Sequence, residues 1–238
     1  MDGLRKKKIV IAIVFLCVAI VTIMVCFHNI EQRHKKNTYV EWAEEKCETV
    51  CYNNADCVIA YVNQTPIHSK DLQIYMIESS IDRNYFQKCS LDTCYQSESV
   101  IEDSFERLVL DCFYCQWSEN ENLKSDEKLK NEVEQILKIE AESDAVNIAA
   151  CAQVKLNLRE PFSLWFEAQY ARDMIEQKYY PYHAKSADEV GQYQFEVLYR
   201  NASKTQIYIN ENAPECLKSD ELCKRLEEYG FDVLIPNP

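Results

Sequence analysis

Cys112-Phe113-Tyr114-Cys115 has the C-x-x-C spacing that, in a redox enzyme, lets a low-pKa thiolate attack a disulfide. That chemistry needs a thiol at a helix N-terminus, where the dipole favours the anion. Here the pair falls late in a helical pattern running from about Glu98 to Ser118, where the dipole raises a thiol pKa. Core packing or structural pairing is therefore the stronger expectation. Cys89, Cys94, Cys112 and Cys115 also offer four thiolates to zinc, but their spacing is irregular for such a site. His68 and His183 have no neighbouring histidine or partnered acid at ligand spacing, and no Ser-His-Asp or Cys-His arrangement can be assembled from so few histidines. No metal, cofactor or catalytic residue is expected.

Binding is the other chemistry on offer. After Pro161 the chain is rich in aromatic residues, and Trp165, Phe166, Tyr170, Tyr179, Tyr180 and Tyr182 are candidates for contacting extended peptides, the plain alternative being that they are core. Cys216 and Cys223 flank a helix start and can close a small loop. Asn63-Gln64-Thr65 and Asn201-Ala202-Ser203 fit glycosylation sequons, a triplet common by chance.

The 238-residue chain contains three glycines, which favours helix and disfavours Gly-rich phosphate loops, tight hairpins and open barrels. Ile9 to Phe27 is an uncharged apolar run of 19, long enough as a helix to cross a bilayer, and Arg5, Lys6, Lys7 and Lys8 precede it. This reads as a cytoplasmic stub (1–8) and a single-pass signal anchor (9–28), placing the rest of the chain on the extracytoplasmic side of the cell membrane. The chain carries −13 overall, and its first 28 residues hold four basic side chains and one acid, so the remainder carries −16 by subtraction. Such an acidic body repels phosphate backbones and excludes nucleic acid as an expected partner. Ten of the twelve cysteines lie beyond the anchor, an even number consistent with disulfides in an oxidising compartment, reduced thiols and metal binding being the alternatives.

Glu31 to Asn37 reads as a charged spacer within 29–56, and Tyr39 to Cys51 as a short helix with Val40, Cys47 and Val50 inward. Val58, Ile59, Tyr61 and Val62 form a β-favouring run that Asn63-Gln64-Thr65-Pro66 breaks, with Ser69 as N-cap of a helix to about Gln87. In that helix Leu72, Tyr75, Met76, Ser79, Arg83 and Phe86 follow a roughly 3.6-residue period, and Cys89 to Cys94 makes the next loop. Ile101, Phe105, Leu108, Cys112 and Cys115 advance by four, three, four and three, the cleanest amphipathic face in the chain. Asn122 is expected in the left-handed conformation and Ser125 as the next N-cap, with Val133, Ile136 and Leu137 inward. A weaker helical pattern covers 143–158 through Ala145, Val146, Ile148, Ala149, Cys151 and Val154, and after Pro161 Phe162, Phe166, Tyr170 and Met174 share a face. A helix from about Ser186 to Asn201, a strand over Thr205 to Asn210, and a tail helix capped by Ser219 and stopped by Gly230 complete the reading.

Val62, Asn63, Gln64, Ile67, Asp71 and Leu72 resemble the V-N-G-x-x-I strand-to-helix opening of the SurA N-terminal-like domain, shared by SurA and PrsA-type foldases, with Gln64 in place of the usual glycine. Leu108-Val109, Asn122-Leu123 and Ser125-Asp126-Glu127 stand where that family has its second helix and following turn, and Ile207-Tyr208-Ile209-Asn210 is similar to its closing strand. The resemblance implies a mainly α, multi-helix, trigger-factor-like chaperone domain over 57–210 with a minor two-stranded sheet joining its ends, followed by an extension over 211–238. Many relatives insert a parvulin-type isomerase domain, yet Glu142 to Asn210 holds one glycine, Gly191, and one histidine, His183, so that module is expected to be missing. The implied function is non-catalytic binding of unfolded or exported polypeptide. A thiol-disulfide oxidoreductase or isomerase-related foldase, and a scaffold docking one membrane partner, remain the alternatives.

Overall fold

The computed structural model describes residues 2–52, 56–179 and 187–235, with the side chains of 2–19, 187–192 and 194 outside the description. Between Gly3 and Pro66 no glycine or proline interrupts the chain, and Asp2–Tyr52 is one continuous helix, α1. The stretch from Glu31 to Asn37, expected as a spacer, continues this helix. Its next turns send Tyr39, Ala43, Cys47 and Val50 into the core at spacings of four, four and three. Among residues with described side chains, no helix is long and apolar enough to cross a membrane, and much of the expected anchor, 9–19, lies outside them.

Strands β1 (Val58–Val62) and β2 (Thr65–His68) form a hairpin whose turn residue Asn63 has φ 53°, a left-handed value that asparagine tolerates well. The expected break at Asn63-Gln64-Thr65-Pro66 is thus only a turn. Pro66 is admissible in β2 because β2 is an edge strand, where a missing donor costs no ladder bond. Helices α2 (Ser69–Gln87), α3 (Leu91–Tyr95), α4 (Glu98–Asn120), α5 (Glu127–Ala141), α6 (Val146–Asn157), α7 (Ser163–Tyr179) and α8 (Ala187–Ala202) follow, then β3 (Gln206–Ile209), a 3₁₀ turn (Glu215–Lys218), α9 (Asp220–Glu228) and β4 (Asp232–Leu234). The sheet order is β2-β1-β3-β4, four strands where two were expected. The β1–β3 pairing itself matches the expectation, with Ala60 opposite Ile209 and Val62 opposite Ile207. β4 adds in parallel to β3, and at three residues it is too short to show as a pattern.

Helix ends follow side-chain chemistry. His68, not Ser69, is the N-cap of α2, and its amide donates to Asp71 Oδ2 at 3.3 Å. Asp126, not Ser125, caps α5, its Oδ1 accepting from Leu129 N at 2.8 Å. Asn122 takes φ 54° after α4, and Ser219 caps α9, both as expected. At Gly230 φ is +103°, and a Cβ there would lie 2.9 Å from the Tyr199 carbonyl oxygen, so both backbone and space demand glycine.

Two hydrophobic clusters fill the body. The first gathers Ile59, Val62, Ile207 and Ile209 of the sheet, Leu72, Tyr75 and Met76 of α2, Phe105, Leu108 and Phe113 of α4, and Leu217, Leu222, Leu226 and Phe231 of the tail. The second gathers Tyr39, Ala43, Cys47 and Val50 of α1, Ile74, Ile77 and Ile81 of α2, Val133 and Leu137 of α5, Val154 of α6, and Phe162, Phe166 and Tyr170 of the α7 region. Residues read as spacer and as extension therefore contribute to these cores. α2 belongs to both clusters, so its inward face is wider than the single stripe expected. Ile77 and Ile81 are inside, while Phe86 is exposed, as are Ile136 of α5 and Ile148 of α6. Arg225 ties α9 to α4 through Asp103 at 2.8 Å, Glu106 at 3.4 Å and Glu102 at 3.6 Å.

Replacing Ile207 with alanine should lower the unfolding free energy by about 2–5 kcal/mol, because a fully buried branched side chain leaves a cavity. Tyr208→Ala, on the outward face of the same strand, should cost less. Urea titrations of both variants check this ordering, and equal losses would contradict the assigned sheet face.

Candidate functional site

α2 carries Glu78 and Asp82 one turn apart, facing the seam where its two apolar faces meet α4 and α6. Glu78 Oε1 accepts from Lys155 Nζ of α6 at 2.8 Å and pairs with Arg107 Nη2 of α4 at 3.0 Å. Asn147 Nδ2 of α6 donates to Asp82 Oδ1 at 3.0 Å. One turn from Arg107 along α4, the buried Asp111 accepts from Tyr75 OH of α2 at 2.7 Å and from Arg172 Nη2 of α7 at 3.0 Å. Two of the cations lie over aromatic rings, Lys155 Nζ 4.1 Å from the Trp165 centroid and the Arg172 guanidinium 4.9 Å from that of Tyr114. The seam thus joins α2, α4, α6 and α7 through charge.

Burial alone would push the Glu78 carboxyl up, but Lys155 and Arg107 outweigh it and hold the group at about 2. Burial prevails at Asp111, whose pKa is raised despite its two donors. Tyr75 is driven well above its ordinary value by burial and by the Asp111 carboxylate. Each of these carboxylates is bonded to a donor on a neighbouring helix, so the network binds the helices together. The signal in the sequence was a charge inside an apolar run: Glu78 after Ile77, Asp111 between Leu110 and Cys112, and Lys155 between Val154 and Leu156.

The thiols divide differently from expectation. Among the described residues the one disulfide joins Cys89 to Cys94, across the short helix α3 rather than an open loop. Cys112, Cys115, Cys216 and Cys223 are thiols, so neither a structural pairing of Cys112 and Cys115 nor the small tail loop is formed. Burial pushes Cys115 up to about 12 and Cys112 higher still, which leaves no thiolate for disulfide exchange at neutral pH. Among the described residues no group of three or more His, Cys, Asp or Glu is placed to hold a metal ion.

Of the expected aromatic contacts, Phe166 and Tyr170 are buried inside the second cluster and cannot meet a peptide. Trp165 is half-buried under Lys155, and Tyr179 packs its ring 5.5 Å from that of Trp117. Tyr180, Tyr182 and His183 lie outside the described residues. Both sequon asparagines are engaged. Asn63 Nδ2 donates to Gln116 Oε1 at 2.7 Å while its Oδ1 accepts from Gln206 N at 3.0 Å, and Asn201 Nδ2 donates to the Val197 carbonyl.

An exposed row of apolar and aromatic side chains lies on the sheet. Strand register sets Pro66, Tyr61, Tyr208 and Leu234 in one row across all four strands, alternating with the inward Val62 and Ile207. Pro66, Tyr208 and Leu234 are exposed and Tyr61 is half-buried. On α8, Phe195 and Tyr199 are exposed one turn apart with ring centroids at 6.1 Å, and Tyr199 abuts Gly230, two residues before β4. The row was hidden because two of its four members lie on strands that local patterns did not reveal.

Glu78→Gln should destabilise the chain by roughly 3–5 kcal/mol at neutral pH, since it strands two cations in the interior. The Glu78 carboxyl lies below its ordinary 4.5 in the fold, so its contribution is complete above about pH 4.5 and is lost as pH falls toward 2. Asp111 has the opposite sign, its raised pKa easing folding as the group protonates. The gap between wild type and Glu78→Gln should therefore narrow across that window in urea titrations, and a constant gap would show that Glu78 is not the group responsible. Alkylation of the native chain should label exposed Cys51 and Cys57 quickly and buried Cys47, Cys112 and Cys151 only on unfolding, with Cys89 and Cys94 released by reductant. Rapid native labelling of Cys112 would contradict its burial.

Comparison with protein-family models, with curated proteins and with solved structures gives no match to this chain.

Proposed function

We propose that this chain is a membrane-anchored, non-enzymatic binding module of the SurA N-terminal type that holds extended or unfolded polypeptide on the extracytoplasmic side. The observation that carries this reading is the aromatic row Tyr61–Tyr208 with Pro66 and Leu234 on the open face of the sheet. Exposed tyrosines present large, rigid, partly polar surface and bind backbone and apolar side chains with little demand for sequence. An acidic chain, at −13, favours segments that are basic as well as apolar.

Support for the anchor comes from the run Ile9 to Phe27 and from Ile20, Val21, Ile23, Met24, Val25 and Phe27, which are all exposed on a continuous helix. Apolar side chains exposed on every side of a helix call for lipid around them. Support for the SurA-like comparison comes from the helical body and the pairing of β1 with β3. The Cys89–Cys94 disulfide fits an oxidising compartment. The site differs from the one expected, having moved from the α7 aromatics to the outward sheet face.

The test is suppression of aggregation of a denatured client by the full chain in nanodiscs. Tyr61→Ser with Tyr208→Ser should weaken client binding about tenfold, equivalent to ~1.4 kcal/mol, because paired aromatics dominate such contacts. Ile148→Ser, an exposed apolar position on α6, should leave binding unchanged. Unaltered binding by the double variant would remove the sheet face as the site. A single dominant crosslinked partner in place of many clients would replace this reading with that of a dedicated scaffold.

A further inference from the structure

The anchor and the body share one helix, so position along α1 measures height above the bilayer for everything packed against it. At 1.5 Å per residue, residues 28–36 occupy roughly the first 14 Å beyond the apolar run, and the headgroup layer of one leaflet takes up about 5–8 Å of that. Two parts of the body touch α1 there or within its next turn. Lys36 Nζ donates to the Ala141 carbonyl at the end of α5 at 2.6 Å, and a groove of about 590 Å³ runs from His28, Gln32 and Arg33 to Glu142 and Asp144. On the other side Tyr39 OH donates to Asn84 Oδ1 at 2.6 Å, Lys35 Nζ sits 5.1 Å from the Tyr85 ring, and a second groove runs from Phe27 and Ile30 to Asn84 and Leu91.

These contacts bring large exposed apolar side chains to this end. Phe86, next to Tyr85, is 73% exposed, and Ile139 and Ile136, in the last turns of α5, are 71% and 53% exposed. The charges around them are of both signs: Lys138 pairs with Glu134 at 3.0 Å, and Phe86 shares a groove with Asp82, Arg83 and Asp103. Exposed apolar side chains with lysine and arginine beside them suit a membrane interface, where the stems are covered and the cations meet phosphate.

We propose that the end of the body formed by the C-terminal turns of α2 and α5 and the α5–α6 turn seats on the phospholipid headgroup layer of the membrane that α1 enters, with Phe86 and Ile139 as its apolar contacts. This rests on the reading of α1 as a membrane anchor. Seating fixes the body against the bilayer, with no hinge between anchor and core.

The test places a genetically encoded fluorescent amino acid singly at Val21, Phe86, Ile139 or Tyr208 of the full chain, in nanodiscs of phosphatidylcholine and phosphatidylglycerol carrying nitroxide quenchers in the acyl chain or the headgroup. Acyl-chain quencher should remove fluorescence at Val21, headgroup quencher should remove it at Phe86 and Ile139, and Tyr208 should keep its signal with both. Quenching at Val21 with none at Phe86 and Ile139 would overturn the seat alone. No quenching at Val21 would overturn the anchor, and the seat with it. Equal headgroup quenching at Tyr208 and Phe86 would show that the body meets the membrane in no fixed pose, which also overturns the proposal.

Discussion

A carboxylate inside an apolar interior must be paired, and Glu78 is the group on which this fold turns. It stands on α2, which like α7 lines both hydrophobic clusters, and its two cations come from different neighbours, Arg107 of α4 and Lys155 of α6. Neither α4 nor α6 can shift relative to α2 without stranding a charge. Asp111 repeats the arrangement one turn away, drawing α7 in through Arg172 and returning to α2 through the Tyr75 hydroxyl. Apolar contacts alone allow helices to slide or rotate, whereas these directional pairs select one register.

That register places the surfaces that matter. With α2 and α4 fixed, Gln116 of α4 meets both the Val62 carbonyl and the Asn63 side chain, which in turn accepts from Gln206. Strands β1 and β3 are thereby held against α4, and the alternation of β3 puts Ile207 and Ile209 inside and Tyr208 outside. Facing the other cluster, the same helix α2 receives α1 through Ile74, Ile77 and Ile81. A single packed unit therefore links the apolar N-terminal run to the aromatic sheet face.

Helical periodicity made much of this legible. The Ile101-to-Cys115 stripe, the Asn122 stop, the Ser219 cap, the Gly230 stop and the closing strand pair all follow from local rules of spacing and φ. What escaped was set by tertiary context. A proline in β2 reads as a break unless one knows that the strand is at an edge, and β4 is too short for alternation to register. A charged stretch such as Glu31 to Asn37 reads as a linker, though without glycine or proline nothing ends the helix. Cysteine count suggested several disulfides, yet pairing depends on which thiols the fold brings together, and only Cys89 and Cys94 are so placed among the described residues. The aromatic run after Pro161 allowed both core packing, the stronger expectation, and peptide contact, and Phe166 and Tyr170 are core.

The central claim is that α2 and its ion pairs make the two clusters one cooperative body. Native-state hydrogen exchange across a urea series measures this directly. The account expects the amides of Ile77 in the second cluster and Leu108 in the first to converge on one opening free energy and to exchange together. Opening of the α1–α5–α6 side at markedly lower urea, with α4 and the sheet still protected, would contradict it.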